Sequence, residues 1–321
     1  MKKHMASSLC LAFFAVMATL LTACGGFSQK EGESSGTKQS NNSPIDVIVS
    51  IVPQAWVVDK IGGDLVKTEV LAPPNHSPET YQITPRQMDA LGRAALYFRI
   101  GMPFEEALVQ RLHTAFPGLA IVDTRKDVPL LALVGHHHHH DDGHDHDHHH
   151  HGDEDPHIWL DPIRVKIQAH TVAEALIRAL PEQESVIQEK LKALEEELDA
   201  LHEELTGLLA PLENRIFFVY HPAFGYFADR YELTQKAVEF EGKSPGAQRL
   251  YGLIDEIKES GTTAIFTQPQ FNVAELSAIA SSAGVEMVML DNLLYDYPHS
   301  MRLIAGRVAE VLRKEAGPSS N

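Results

Sequence analysis

Hydrophobic and polar positions alternate in a regular way from residue 45 onward, where short β-branched runs are separated by longer amphipathic stretches. This alternation is typical of βαβ units and parallel sheets. In the first half it predicts strands at Ile45–Val52, Val66–Ala72, Ala95–Ile100 and Leu119–Asp123. The helical periods between these strands fall at Trp56–Ile61, Pro85–Leu91 and Glu105–Phe116.

The second half of the chain repeats the pattern. Strands are predicted at Arg215–Tyr220, Thr234–Phe240, Ala264–Thr267 and Glu286–Leu290. Helices are predicted at Ala247–Glu259, Val273–Ala283 and Ser300–Lys314. The predicted fold class is therefore α/β, with two lobes that each contain a mostly parallel sheet flanked by helices.

A single long helix is predicted between the two halves. Its apolar residues recur at spacings of four and three: Ile187, Leu191, Leu194, Leu198, Leu201, Leu205 and Leu208. A helix from about Glu184 to Leu209 extends about 39 Å at ~1.5 Å per residue. We interpret it as a connector with its apolar stripe packed on both lobes. A dimeric coiled coil is the alternative, but fewer than four heptads within an α/β chain favour the connector.

The N-terminus has the features of a secretion signal. Residues 1–23 begin with two lysines and continue into an apolar run that is short for a membrane span but fits a secretory segment. Leu21–Cys24 resembles the lipobox of bacterial lipoproteins, which predicts acylation of Cys24; the alternative is an ordinary signal peptide with an incidental cysteine. The other cysteine is Cys10, so we expect neither a disulfide nor a thiolate ligand in the folded part.

The residues after the signal divide the chain into a tether and two lobes. Residues 24–44 are rich in Ser, Gly, Asn and Gln without an apolar pattern, which is typical of a flexible tether. The predicted boundaries are 45–183 for the N-terminal lobe with its histidine-rich loop, 184–210 for the linking helix and 211–318 for the C-terminal lobe. We expect an extracytoplasmic protein, in the periplasm or at the cell surface, anchored to the membrane by lipid.

Charge and histidine content narrow the function. The 321 residues include 27 basic and 44 acidic side chains, a net charge of −17, so a nucleic-acid backbone would be repelled. The chain also contains 19 histidines, which point to metal.

Candidate metal ligands lie near strand ends. Two α/β lobes joined by a stiff connector bind ligands in the cleft outside the carboxyl ends of their strands. His76, His157 and His221 lie at or near such positions, each close to prolines, and Asp291 follows the last predicted strand. Three imidazoles and a carboxylate suit Zn²⁺ and can also hold Mn²⁺.

Several segments resemble a known family. They are Pro74–Glu79, Tyr97–Glu105, Asp155–Pro162, His221–Tyr231 and Glu241–Lys243. They resemble the zinc- and manganese-binding solute-binding lipoproteins of bacterial metal ABC importers (cluster A-I), particularly the zinc-uptake branch, over essentially all of the chain after the tether. The resemblance implies two lobes on one long helix, zinc as cargo, a permease and its ATPase as partners, and no enzymatic activity. It also implies ligand roles for His76, His157 and His221; we expect a monomer.

The fourth ligand varies among the branches of that family. Asp291 resembles the aspartate used by one branch and is the predicted fourth ligand. Glu239 and Glu241 are alternatives, although second-shell or surface roles suit them better. Gln268 stands where relatives are expected to carry glutamate, and its neutral amide is a poor zinc ligand.

Residues 136–151 contain eleven histidines and four aspartates in sixteen positions. Such a composition cannot form a packed core and predicts a disordered loop. Its histidines are candidate auxiliary metal ligands: His136, His137, His138, His139, His140, His144, His146, His148, His149, His150 and His151. The loop could collect zinc and pass it to His157. The alternatives are a solvated insertion without a role in uptake and an expression tag, although tags sit at termini.

The prediction from sequence is a lipid-anchored receptor that binds one Zn²⁺ and delivers it to an importer. Manganese is an alternative cargo, but the histidine-rich loop favours zinc because manganese prefers oxygen ligands. A zinc buffer or adhesin without a transport partner would leave the cleft unexplained. A metallohydrolase would need a general base beside a metal-bound water, and the sequence shows no HExxH-type motif.

Overall fold

The computed structural model describes residues 43–133, 154–239, 247–271 and 273–315. The predicted signal peptide with Cys24, the tether as far as residue 42, the histidine-rich loop and Glu241 lie outside these ranges. Within the described ranges, no helix combines the length and apolar character that crossing a bilayer requires.

The first lobe contains a four-stranded parallel sheet in the order β2-β1-β3-β4. Its strands are β1 (Ile45–Val49), β2 (Val66–Val70), β3 (Leu96–Arg99) and β4 (Ala120–Asp123). Its helices are α1 (Val52–Gly62), α2 (Pro85–Leu91), α3 (Pro103–Ala115) and α4 (Pro162–Ala179). The central strand β1 buries three consecutive residues, Val47 to Val49, as expected for a parallel sheet covered on both faces.

The predicted connector is α5 (Glu184–Leu209), a helix of 26 residues. It packs against α1 and α4 and against the C-terminal helix of the chain. Its buried stripe follows the predicted spacing up to Leu205 and then continues at Leu209, whereas Leu208 is only partly buried. The final step of four residues keeps the stripe on one side of a straight helix, because 3.6 residues per turn drift away from a seven-residue repeat. Since this stripe is covered within the chain, α5 is not the seam of a coiled-coil dimer.

The second lobe repeats the topology of the first, with a parallel sheet in the order β6-β5-β7-β8. Its strands are β5 (Ile216–Val219), β6 (Thr234–Ala237), β7 (Ala264–Thr267) and β8 (Glu286–Met289). Its helices are α6 (Gly225–Arg230), α7 (Ala247–Ser260), α8 (Val273–Ala283) and α9 (Tyr297–Glu315). One cluster of buried apolar residues runs from Phe98 through the α5 leucines to Phe266, so the two lobes share a core. These features confirm the predicted fold class.

The sequence pattern misplaced the start of α1 and missed two helices. Helix α1 begins at Val52, where the pattern still predicts strand, because Pro53 lies in the first turn, where its missing N–H is tolerated. Helices α4 and α6 were not predicted. The buried face of α4 includes Arg164, Gln168 and Thr171, and these polar residues interrupt the apolar period.

The topology forms a cleft between the lobes. In each sheet the strand order reverses beside the first strand, between β1 and β3 and between β5 and β7. Open α/β sheets bind ligands at the carboxyl ends of strands near such points. Residues that follow β2, β3, β5, β7 and β8 line one pocket in this cleft.

Candidate metal centre

Three side chains from three segments converge in the pocket: Glu79, His157 and His221. Glu79 lies between β2 and α2, and His221 lies two residues after β5. His157 follows Pro156 and immediately precedes a single 3₁₀ turn, Ile158–Leu160. The three candidate ligands thus lie at strand ends and in short turns of the α/β scaffold.

The candidate ligand atoms lie close together. One atom from each of the three side chains lies within 4.8 Å of the others. Glu79 Oε1 is 2.7 Å from His221 Nε2 and 3.5 Å from His157 Nε2, and the two imidazole centroids are 5.3 Å apart. Both histidines are buried. Two imidazoles and one carboxylate directed at one point form a donor set that suits zinc.

The other ring nitrogen of each histidine is held by a carboxylate. His157 Nδ1 lies 2.6 Å from Asp155 Oδ1, which also accepts the backbone N–H of His157. His221 Nδ1 lies 2.8 Å from Glu239 Oε2. Acceptors of this kind fix the ring orientation and direct Nε2 toward a metal. Glu239 therefore contacts His221 through the ring nitrogen that does not face Glu79.

The carboxylates change the proton affinities in the pocket. Burial lowers the pKa of His221, but Glu239 and Glu79 outweigh it and raise the pKa to about 9. Burial raises the pKa of Glu79, but the neighbouring imidazoles of His221 and His157 leave it below its ordinary value. The pocket favours a cation between Glu79 and the two rings, and a proton takes that place when no metal is bound.

The walls of the pocket are largely apolar, and its free volume is about 20 Å³. Phe271 stacks on the His221 ring at 4.9 Å, and Trp159 lies 5.2 Å from the His157 ring. The Trp159 indole N–H donates to the Asn292 carbonyl at 2.8 Å, which joins the two lobes beside the site. A space this small holds about one water-sized body and suits an ion rather than an organic solute.

Two of the predicted ligands lie outside this cluster. His76 is exposed, and its ring packs edge-on against Tyr81 at 5.8 Å. Asp291 is partly buried, and its Oδ1 accepts the Leu293 N–H at 2.9 Å. Of the four residues predicted from sequence, the structure brings together His157 and His221 only; ligand roles for His76 and Asp291 stay predictions that this geometry does not favour.

Sequence reasoning did not select Glu79 as a ligand. It lies three residues after His76, in the same family-like motif. The His76 N–H donates to the Pro73 carbonyl at 3.0 Å and closes a turn, after which Pro78 is buried and Glu79 reaches the pocket. The available signal was a carboxylate directly after Pro78 in that motif, but a single acidic residue in a loop is common without any metal.

Two α/β lobes that bring two imidazoles and a carboxylate together in a pocket between them have the architecture of a metal-binding receptor. The sequence profile described as "Zinc-uptake complex component A periplasmic" matches residues 47–310. This chain therefore belongs to the ZnuA family, which confirms the predicted resemblance. The family is described as periplasmic, in agreement with the expected extracytoplasmic location.

Individual relatives agree with this assignment. The high-affinity zinc uptake system protein ZnuA of Yersinia pestis is 30% identical over 263 residues, covering 77% of this chain and 82% of the relative. The protein of the same name from Haemophilus ducreyi is 31% identical over 289 residues, with 83% and 93% covered. A crystal structure of a ZnuA deletion mutant with zinc bound is 36% identical at a TM-score of 0.76, covering 84% of this chain and 98% of that one.

Proposed function

We propose that this protein is the extracytoplasmic receptor of a zinc importer, which captures one Zn²⁺ between Glu79, His157 and His221 and delivers it to a membrane permease driven by an ATPase. The observation that carries the proposal is the convergence of these three ligand atoms in an interlobe pocket. Membership of a zinc-uptake family and the zinc-bound relative support zinc as the cargo.

The surroundings of the ligands favour holding metal over activating it. The carboxylates nearest the candidate ligands are engaged, because Asp155 bonds His157 and Glu239 bonds His221. Among the described residues that line the pocket, Glu79 is the one carboxylate, and it is itself a candidate ligand. A hydrolase needs a separate general base beside the metal-bound water, so the lining argues against the metallohydrolase hypothesis.

The ligand set can be tested with two matched glutamine variants three residues apart. We would titrate the protein from residue 26 onward with Zn²⁺ against a competing chelator strong enough to exclude weak sites. Glu79→Gln removes a partly buried charge at nearly constant volume and should weaken the tight equivalent by about 100-fold or more. His76→Gln changes an exposed ring and should leave it unchanged.

The opposite result would restore the ligand set predicted from sequence. If His76→Gln weakened zinc binding and Glu79→Gln did not, His76 would be the ligand and the proposed set would be wrong. Repeating the titration with Mn²⁺ tests the alternative cargo: tighter binding of Mn²⁺ than of Zn²⁺ would overturn zinc while leaving the receptor function. If neither metal bound tightly, a zinc buffer without a transport partner would be the better hypothesis.

Membrane attachment belongs to the same proposal. We infer that Cys24 is acylated, which the Leu21–Cys24 motif supports, and that the tether holds a monomeric receptor near its permease. Cys24→Ala should move the protein from the membrane fraction to the soluble fraction. An unchanged distribution would favour an ordinary signal peptide.

The histidine-rich segment at 136–151 is proposed to collect zinc for the cleft. Its composition supports this role, as does its position a few residues before His157. Deleting it should slow zinc-limited growth while the tight equivalent persists in vitro. Unchanged growth would favour a solvated insertion.

A further inference from the structure

Gln268 is a buried polar residue of the pocket to which the proposed ligand set gives no role. It directly follows β7, is 2% exposed and lines the same pocket as Glu79, His157 and His221. Its Nε2 lies 3.4 Å from the backbone carbonyl of His221, a long hydrogen bond. Its Oε1 has no hydrogen-bond partner within the part of the chain that the structure describes.

The orientation of this amide follows from its neighbour. A backbone carbonyl can only accept hydrogen bonds, so the NH₂ group of Gln268 must face the His221 carbonyl. Turning the amide over would bring two oxygens together and is disfavoured. Oε1 is therefore the end of the side chain without a partner. Buried polar atoms in folded proteins nearly always have one, and an orphan acceptor indicates a donor that the described part of the chain does not supply.

The metal site calls for a donor of that kind. Zinc sites are almost always four-coordinate, and three of the positions here fall to Glu79, His157 and His221. Asp291, the predicted fourth ligand, does not line the pocket, and one of its oxygens already accepts a backbone N–H. A neutral amide oxygen is a weak zinc ligand but a good acceptor for a metal-bound water, whose O–H groups are polarised by the ion.

We propose that Gln268 Oε1 accepts a hydrogen bond from a water molecule that occupies the fourth coordination position of the bound zinc. The inference rests on the proposed function and assigns Gln268 as a positioning residue. It makes the fourth ligand exchangeable, so that an incoming ligand can enter before the three protein ligands dissociate. It also accounts for an amide at this position, because an amide holds water without competing for the metal.

Cobalt substitution gives a direct readout, because the visible spectrum of Co²⁺ responds to its ligands. We would add one equivalent of Co²⁺ to the protein from residue 26 onward and titrate with azide. Azide can replace water on the metal but has no O–H to donate to Oε1. In the unchanged protein azide should shift the spectrum.

Two variants of Gln268 then set the order of azide affinities. Gln268→Met removes the acceptor at similar length, so water is held less well and azide should bind about tenfold more tightly. Gln268→Glu introduces a negative charge of nearly the same shape, and azide should bind at least tenfold more weakly than to the unchanged protein. Circular dichroism and thermal unfolding check that both variants fold.

Control variants separate failure of this inference from failure of the proposed function. Glu79→Gln provides the spectrum of cobalt bound outside the cleft. If the unchanged protein gave the same cobalt spectrum as Glu79→Gln, both the cleft site and this inference would be wrong. If its spectrum were distinct but insensitive to azide, and Asp291→Asn then made it sensitive, Asp291 would be the fourth ligand and only the role of Gln268 would be lost. Equal azide affinity in all Gln268 variants would likewise overturn that role.

Discussion

Zinc capture should release a proton from His221, and this prediction follows from its two carboxylate neighbours. His221 Nδ1 lies 2.8 Å from Glu239 Oε2, and Nε2 lies 2.7 Å from Glu79 Oε1. Both carboxylates favour the protonated ring, through hydrogen bonding and through their charge. Burial lowers the pKa of His221, but these carboxylates raise it to about 9.

The size of the effect follows from that value. A pH of 7 is about two units below the pKa of the metal-free imidazole, so the ring is protonated. Zinc needs the lone pair that this proton occupies. Zinc binding is then about 100-fold weaker than to the neutral ring, or about 2.7 kcal/mol at ~1.36 kcal/mol per unit. The apparent affinity should rise about tenfold per pH unit between pH 7 and 8 and level off above pH 9.

Calorimetry can count the released protons. The binding enthalpy is measured in buffers of different ionisation enthalpy, and its slope gives the protons released per zinc. We expect about one from this group at pH 7.5, and a smaller number for Glu239→Gln, which removes one of the two carboxylates. The signal of Glu79→Gln is subtracted as the background from weak sites. Proton release near zero, with an affinity independent of pH from 7 to 8.5, would refute the reasoning.

The remaining predictions concern stability and ligand support. Because the pKa of His221 is raised in the folded state, its stabilisation of the metal-free protein is fully present below about pH 6.5 and is lost as pH rises through about 9; unfolding at pH 6 and pH 9.5 should differ by up to about 3 kcal/mol from this group. Gly225→Ala would put a Cβ 2.6 Å from Asp155 Oδ2, and should weaken zinc binding about tenfold or more by displacing the carboxylate that orients His157, whereas Gly118→Ala, with open space around it, should not. Leu198→Ala opens a cavity in the fully buried stripe of α5 and should cost about 2–5 kcal/mol in denaturant unfolding; a cost below 1 kcal/mol would contradict a core shared by the lobes.

The fold was largely predictable because its signals are local and repeated. The inner strands β1, β3, β5 and β7 are short, largely apolar runs that helices bury, and α5 carries an apolar stripe along one face. Helix α4 escaped prediction because part of its buried face is polar. Arg164 there bonds Asp161, the N-cap of the same helix, at 2.6 Å and Asp229 of the second lobe at 3.0 Å, so ion pairs replace the apolar contacts that a periodicity argument detects.

The candidate site was predictable only where the backbone is constrained near each residue. His221 comes two residues after β5, and His157 follows Pro156 and has its imidazole held by Asp155, two residues away. The segment from Pro73 to Glu79 also contains prolines, but its path depends on the turn at His76 and on the pocket that it enters. The histidine content favoured His76 as a ligand. In the structure the turn leaves His76 exposed and places Glu79 in the pocket.

Charge balance explains why the pocket contains several carboxylates, whereas the ligand set predicted from the sequence contained one. Glu79, Asp155 and Glu239 contribute three formal negative charges around two imidazoles, in surroundings where an unpaired charge is costly. A proton on His221 offsets part of this charge in the metal-free protein, and a divalent ion offsets more when it replaces that proton. The three acids lie in separate segments of the chain, and each is an ordinary acidic residue in isolation. Only the folded arrangement, with one acid between the two rings and one behind each ring, turns them into a cation site.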